Sequence, residues 1–140
     1  MLSLEEISDR LELQQLLVGY SEAIDRRCFD ELDAIFTTDA YIDYRATGGI
    51  EGHYPQIKEW LAEVLPAFFT VNAHMLGLPA IRIDGDSASA RTFCFNPMVL
   101  KGDKPRTMMV GLWYEDEFVR TPAGWRMSRR VETKCFDKVV

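Results

Sequence analysis

Of the two histidines in the sequence, His74 alone sits in an apolar setting, Val71-Asn72-Ala73-His74-Met75-Leu76. An imidazole there becomes a candidate general base once its tautomer is fixed, and a carboxylate on the ring does that while raising its basicity. The candidate carboxylate is Asp25, seven residues after Val18, itself seven after Leu11. On a helix that spacing puts it on their stripe, with ~20° of drift per heptad. A carboxylate buried alone is costly, so on a covered stripe it needs a partner or a raised pKa. The plainer alternative leaves Asp25 at a fraying helix end, paired in water with Arg26 or Arg27. For His74 the plainer alternative is a satisfied core residue.

Further polar groups fall on apolar elements. Tyr20 and Tyr44 have apolar bodies and hydroxyl tips, suited to polarising a carbonyl or simply to filling a core. Asn96 follows the apolar run Phe93-Cys94-Phe95 and precedes Pro97, which predicts a bulge or a sheet edge; turn chemistry is its other reading. Met98, Met108 and Met109 suit an irregular cavity or an ordinary core. His53, beside Gly52, reads as surface loop. With no close spacing between the histidines, or to cysteine, no metal site is expected, and no organic cofactor is implied.

These residues need elements to hold them. Ser3 is an N-cap candidate with Glu6 completing a capping box, and a helix is predicted from residue 4 to about 27. Leu4, Ile7, Leu11 and Val18 share one azimuth; Leu13, Leu16, Leu17, Tyr20 and Ile24 share another, so cover is expected on both sides. A short second helix is predicted over 29–36, ended by Thr38-Asp39, then a strand over 40–44 and a turn at Thr47-Gly48-Gly49. Pro55 suits the first position of a third helix that Pro66 stops. Turn signals at Asp84-Gly85-Asp86, Lys101-Gly102-Asp103 and Pro122-Ala123-Gly124 then separate four β-rich runs, about 71–84, 87–100, 105–119 and 124–136.

Helices followed by an antiparallel meander make an α+β protein. Met108, Val110, Leu112, Tyr114 and Phe118 alternate with Thr107, Met109, Gly111 and Trp113, so both faces of that strand begin apolar. A curved sheet accounts for this: one face lines a pocket and the other meets a helix or a neighbouring subunit. A homo-oligomer is therefore expected.

With 140 residues the chain has room for one domain. The net charge of -6 leaves no basic excess for nucleic acid. Arg126, Arg129 and Arg130 are offset by Glu115, Asp116, Glu117 and Glu132, a mixture that reads as solvated strand surface. Cys28, Cys94 and Cys135 are odd in number and widely spaced, which argues against disulfides and for a reducing compartment. The first residues carry acids where a signal peptide needs bases, and no run approaches the ~18 apolar residues of a membrane span. A cytoplasmic protein without membrane partners is expected.

At these positions the chain resembles the SnoaL-like branch of the nuclear-transport-factor-2-like superfamily, from about residue 4 to 136. The resemblance is carried by Tyr20-x4-Asp25, Phe29-Asp30-Glu31-Leu32, Ile35-Phe36-Thr37-Thr38-Asp39-Ala40, the Gly52 entry to the third helix, Ile83-Asp84-Gly85-Asp86 and Gly124-Trp125-Arg126. It implies a cone of three N-terminal helices packed on a curved, mostly antiparallel sheet around a central pocket, and a homodimer or homotrimer. Fold alone does not fix the reaction.

More narrowly, the sequence is similar to scytalone dehydratase, the lindane dehydrochlorinase and the bile-acid 7α-dehydratase, which pair a pocket histidine with an aspartate of the first helix. Asp25 and His74 fall at the matching places. Ile42-Asp43-Tyr44-Arg45 looks like the scytalone dehydratase segment whose tyrosine helps activate a water. Tyr20 stands where the bile-acid enzyme has a substrate-polarising tyrosine and the dehydrochlorinase a lysine. Asn96 stands where the bile-acid enzyme has an aspartate, and Lys134 near its arginine. Met98 takes the place of scytalone dehydratase's second histidine, and Met109 or a neighbour that of ketosteroid isomerase's acidic oxyanion partner.

The resemblance implies a dehydratase-like elimination on a hydrophobic cyclic molecule, with His74, Asp25, Tyr20 and Tyr44 catalytic and Asn96, Met98, Met109, Trp113 and Lys134 against the substrate. A ketosteroid-isomerase-like isomerase and a non-catalytic binding or oligomerisation module are the alternatives.

Overall fold

A computed structural model describes residues 1–140. Helix α1 spans Leu4–Asp25. Ser3 caps it, its hydroxyl accepting from the Glu6 amide at 3.1 Å. The box is not closed, because the Glu6 carboxylate turns forward to accept from Arg10 at 3.0 Å. Only one of the two apolar stripes is covered. Leu13, Leu16, Leu17, Tyr20 and Ile24 are buried, whereas Leu4, Ile7, Leu11 and Val18 are exposed. Asp25 therefore owes nothing to a buried stripe.

After α1 comes a 3-10 segment, Phe29–Ala34, anchored by the fully buried Leu32. Strand β1 covers Phe36–Asp43, so Thr38-Asp39 continue a strand instead of ending a helix. A second 3-10 turn, Arg45–Thr47, closes at Gly48, whose φ of 93° lies where a side chain is strained. Strand β2 (Glu51–His53) leads into α2, Tyr54–Phe68. Pro55 is the second residue of α2, where a missing N–H costs nothing. Pro66 is carried within the helix and does not stop it.

The run expected over 71–84 is three short strands, β3 (Phe69–Asn72), β4 (Met75–Leu76) and β5 (Ala80–Asp84), all paired to β6 (Ser87–Leu100). Strands β7 (Thr107–Thr121) and β8 (Gly124–Val139) complete the sheet, in the order β2-β1-β8-β7-β6-β3. Only β1 and β8 run parallel. The bulge expected at Asn96-Pro97 is absent, since Asn96 pairs with Val110 and Pro97 with Met109 in unbroken register. The interruption lies on the neighbouring edge, at Ala73-His74.

Strand β8 does bulge. Met127 pairs with Phe118 and Arg129 with Glu117, leaving Ser128 as the extra residue. An extra residue reverses which side chains face inward. Before it Trp125 and Met127 are buried; after it Arg130 is, at 1% exposure. Arg130 meets the equally buried Asp116 through Nε and Nη2, both at 2.8 Å. The expectation of solvated strand surface is therefore wrong for this pair. One core joins the inward residues of α1 and α2 to those of β1, β6, β7 and β8. No helix is long and apolar enough to cross a membrane.

Candidate functional site

The site begins where α1 ends. Arg27 adopts a φ of 60°, unusual for a residue with a side chain. Its guanidinium donates to the Phe69 carbonyl at 2.9 Å and to Asn72 Oδ1 at 2.8 Å. These bonds fasten β3 to the end of the helix, and the chain then leaves the strand for two residues. Asp25 meets it there. One carboxylate oxygen accepts the His74 backbone N–H at 2.9 Å, and the other lies 2.5 Å from Nδ1. An ionised carboxylate only accepts, so Nδ1 carries a hydrogen, and in the neutral imidazole Nε2 is then the nitrogen with the lone pair.

The His74 side chain is 5% exposed and that of Asp25 23%. From the other side Asn96 donates its amide to the Ala73 carbonyl at 2.7 Å. The Ala73 N–H donates to the Pro97 carbonyl at 3.1 Å.

The Tyr20 ring stands edge-on to His74, centroids 6.0 Å apart. Its hydroxyl lies 2.5 Å from that of Tyr44. Burial pushes the Tyr20 phenol up to about 12 and lifts Tyr44 well above the usual range. Both therefore stay protonated at neutral pH and serve as hydrogen-bond donors. Arg130, held by Asp116, places its guanidinium 4.1 Å from the Tyr20 ring centre and 3.7 Å from that of Tyr114. Its Nη1 is buried with no hydrogen-bond partner.

These groups line a cavity of about 410 Å³, in which 13 of 20 lining residues are hydrophobic. That composition suits an apolar ligand gripped at a few polar points. Tyr20, Tyr44, His74, Asn96 and Met98 all face it, as does Met108. Trp60 and Phe68 of α2 supply much of the apolar wall. At the rim, a Cβ on Gly49 would fall 2.7 Å from that of Tyr44, so the loop can follow the tyrosine this closely only as glycine.

Three expected substrate contacts lie elsewhere. Trp113 is off the cavity, beneath the Arg91 guanidinium at 3.7 Å and edge-on to Phe93. Met109 is likewise not part of the lining, because alternation along β7 sends Met108 and Tyr114 inward. Lys134 is exposed and pairs with Asp137 at 3.2 Å. In their place the cavity holds Glu132 and Thr47, which sequence reasoning missed. The signal was the register: Glu132 sits opposite Tyr114. Reading it required the Ser128 bulge. No cluster of three His, Cys, Asp or Glu side chains is placed to hold a metal ion.

Comparison with known proteins agrees with this architecture. An uncharacterised protein of Mycobacterium tuberculosis is 65% identical over all 140 residues, covering 95% of its own length. Among solved structures, a hexachlorocyclohexane dehydrochlorinase of Novosphingobium barchaimii superposes with a TM-score of 0.86 at 15% identity, over 98% of this chain and 93% of that one. A scytalone dehydratase-like protein of Novosphingobium aromaticivorans superposes with a TM-score of 0.81 at 19% identity, over 96% and 87%. Likeness at that identity establishes a shared fold, the nuclear-transport-factor-2-like α+β cone. Residues 5–131 match the SnoaL-like domain, and the chain belongs to that family.

Proposed function

We propose that the chain is a small-molecule lyase that carries out a dehydratase-type elimination on a hydrophobic cyclic substrate. The observation that carries this reading is the two-point hold of Asp25 on His74, which leaves Nε2 as a base beside a mostly apolar cavity. His74 takes a proton from a carbon next to a carbonyl, a general-base contribution of ~10²–10⁴ in rate. Asp25 orients the ring and stabilises the imidazolium that forms. The Tyr20–Tyr44 pair donates to the oxygen where negative charge develops, and the nearby Arg130 cation favours that charge. The elimination and dehydration named for two proteins of the same fold support the reaction class.

His74→Ala and Asp25→Asn, assayed against a panel of β-hydroxy ketones, provide the test. Two variants as active as wild type on a confirmed substrate would remove the mechanism. The phenol pair favours an enolate whatever happens to it next, so an isomerase is the second reading. Deuterium entering the substrate from D2O without water loss distinguishes it. The assembly proposed with this function is a homodimer or homotrimer, for which the exposed Leu11 and Val18 of α1 and Phe136 of β8 provide apolar surface; sedimentation measures it.

A further inference from the structure

Glu132 is a carboxylic acid that stands apart from the His74–Asp25 pair. It lines the same cavity. Thr47 donates to its Oε2, while Oε1 accepts no protein hydrogen bond and retains accessible surface. No Lys, Arg or His lies within ion-pair distance of it. The nearest candidate, Arg130, is two residues along β8 and has committed Nε and Nη2 to Asp116. A carboxylate left without a counter-ion beside apolar walls is disfavoured, and protonation relieves it.

Burial accordingly pushes the Glu132 carboxyl up to about 7. The Thr47 bond and the Arg130 charge oppose the rise, while Asp43 of β1 and Asp116 of β7 add to it. Tyr44 and Tyr114, which share the cavity, stay protonated.

Position completes the case. Glu132 and His74 come from different strands of the sheet, yet both line the one cavity of about 410 Å³. A substrate that fills that cavity therefore has both groups among its neighbours. We propose that Glu132 is the general acid of the elimination, protonating the leaving hydroxyl of a β-hydroxy carbonyl substrate while His74 removes the α-proton. The proposal rests on the lyase reading and adds to it.

The step balances. Nε2 of His74 takes the α-proton, and the released electron pair forms the enolate and then the carbon–carbon double bond. The carbon–oxygen bond to the β-hydroxyl breaks as the Oε1 proton transfers to it, giving water. Imidazolium and glutamate remain, and one proton returns through solvent from the first to the second. Thr47, bonded to Oε2, is a positioning residue that keeps Oε1 turned to the cavity.

The experiment compares wild type, Glu132→Gln, Glu132→Asp and His74→Ala on three probes. These are a cyclic β-hydroxy ketone, its β-acetoxy analogue, whose leaving group needs no proton, and the parent ketone followed by α-deuterium exchange in D2O. Glu132→Gln is expected to lower kcat on the hydroxy ketone ~10²–10⁴-fold, with acetate loss and exchange within a few-fold of wild type. The fall in rate above about pH 7 should also disappear. Glu132→Asp is expected to retain part of the activity.

Equal losses on hydroxy and acetoxy substrates, or no loss on either, would overturn the acid role. If Glu132→Gln does not fold, Thr47→Val replaces it on the same probes: a loss confined to the hydroxy ketone supports the acid role, and equal or absent losses overturn it. Failure of His74→Ala to abolish exchange overturns the lyase reading itself, an outcome separate from any result at Glu132.

Discussion

The carboxylate of Asp25 divides its two oxygens between the ring and the backbone of His74, at 2.5 Å and 2.9 Å. One side chain thus sets both the tautomer of the imidazole and the position of the residue bearing it. Asp25→Asn keeps the shape and one acceptor, and its amide cannot serve both N–H groups. It is expected to reduce kcat ~10²–10⁴-fold with little change in KM. Thermal unfolding of the variant, measured alongside, should stay near wild type.

The two phenols should not be equivalent. Tyr20 touches both His74 and the Arg130 guanidinium, whereas Tyr44 reaches the site through its hydroxyl. Tyr20→Phe is expected to cost ~10²–10³ in kcat, the scale for losing one donor to a developing oxyanion. Tyr44→Phe should cost less. Equal losses, or a larger loss for Tyr44→Phe, would contradict this order.

Much of the architecture was legible because strands and turns announce themselves locally. The turns bounding β6, β7 and β8 are written in Gly, Asp and Pro, and the helix cap in Ser3. Cover is a different matter. Both stripes of α1 are apolar, and only the fold decides that Leu13 and Leu17 are inside while Leu11 and Val18 are not. Along β7 the same ambiguity made Met109 and Trp113 look like pocket residues, and alternation with Tyr114 excludes them. Arg130 and Glu132 were hidden for a third reason. Period-2 reading from Trp125 and Met127 puts Arg129 inside, and one extra residue at Ser128 reverses it.

Trp113 and Met109 accordingly serve as controls. Trp113→Ala and Met109→Ala should leave kcat/KM within about 3-fold of wild type on a monomer-equivalent basis, since neither lines the cavity. Met98→Ala, which opens the cavity wall, should raise KM for a bulky substrate or alter substrate choice. Steady-state kinetics on two substrates of different size read both effects.

Two acids, Asp9 buried and Glu132 partly buried, give opposite pH dependences of stability. Asp9 accepts from Arg120 at 2.8 Å twice and from the Trp125 indole at 2.9 Å, and these bonds hold its carboxyl down to about 2. Its contribution is present above 3.8 and is lost as pH falls through about 2. Asp9→Asn should therefore flatten the acid limb of the denaturation profile. Glu132 runs the other way. Raised from 4.5 to about 7, it contributes stability that is complete below 4.5 and lost as pH rises through about 7. Glu132→Gln should remove that decline, which urea midpoints at pH 5 and pH 8 would register.

The gap at Ala73-His74 has a mechanical consequence. The residue that carries the base is tethered through its backbone N–H to a side chain of α1, not to the ladder that holds the rest of the sheet, while β6 holds only its neighbour Ala73. Tension in that tether can slacken without loosening the scaffold, so the reactive geometry and the melting temperature become separately adjustable. Amide exchange at His74, whose N–H ends on a carboxylate, is then a gauge of how tightly the base is strung and not of whether the protein is folded.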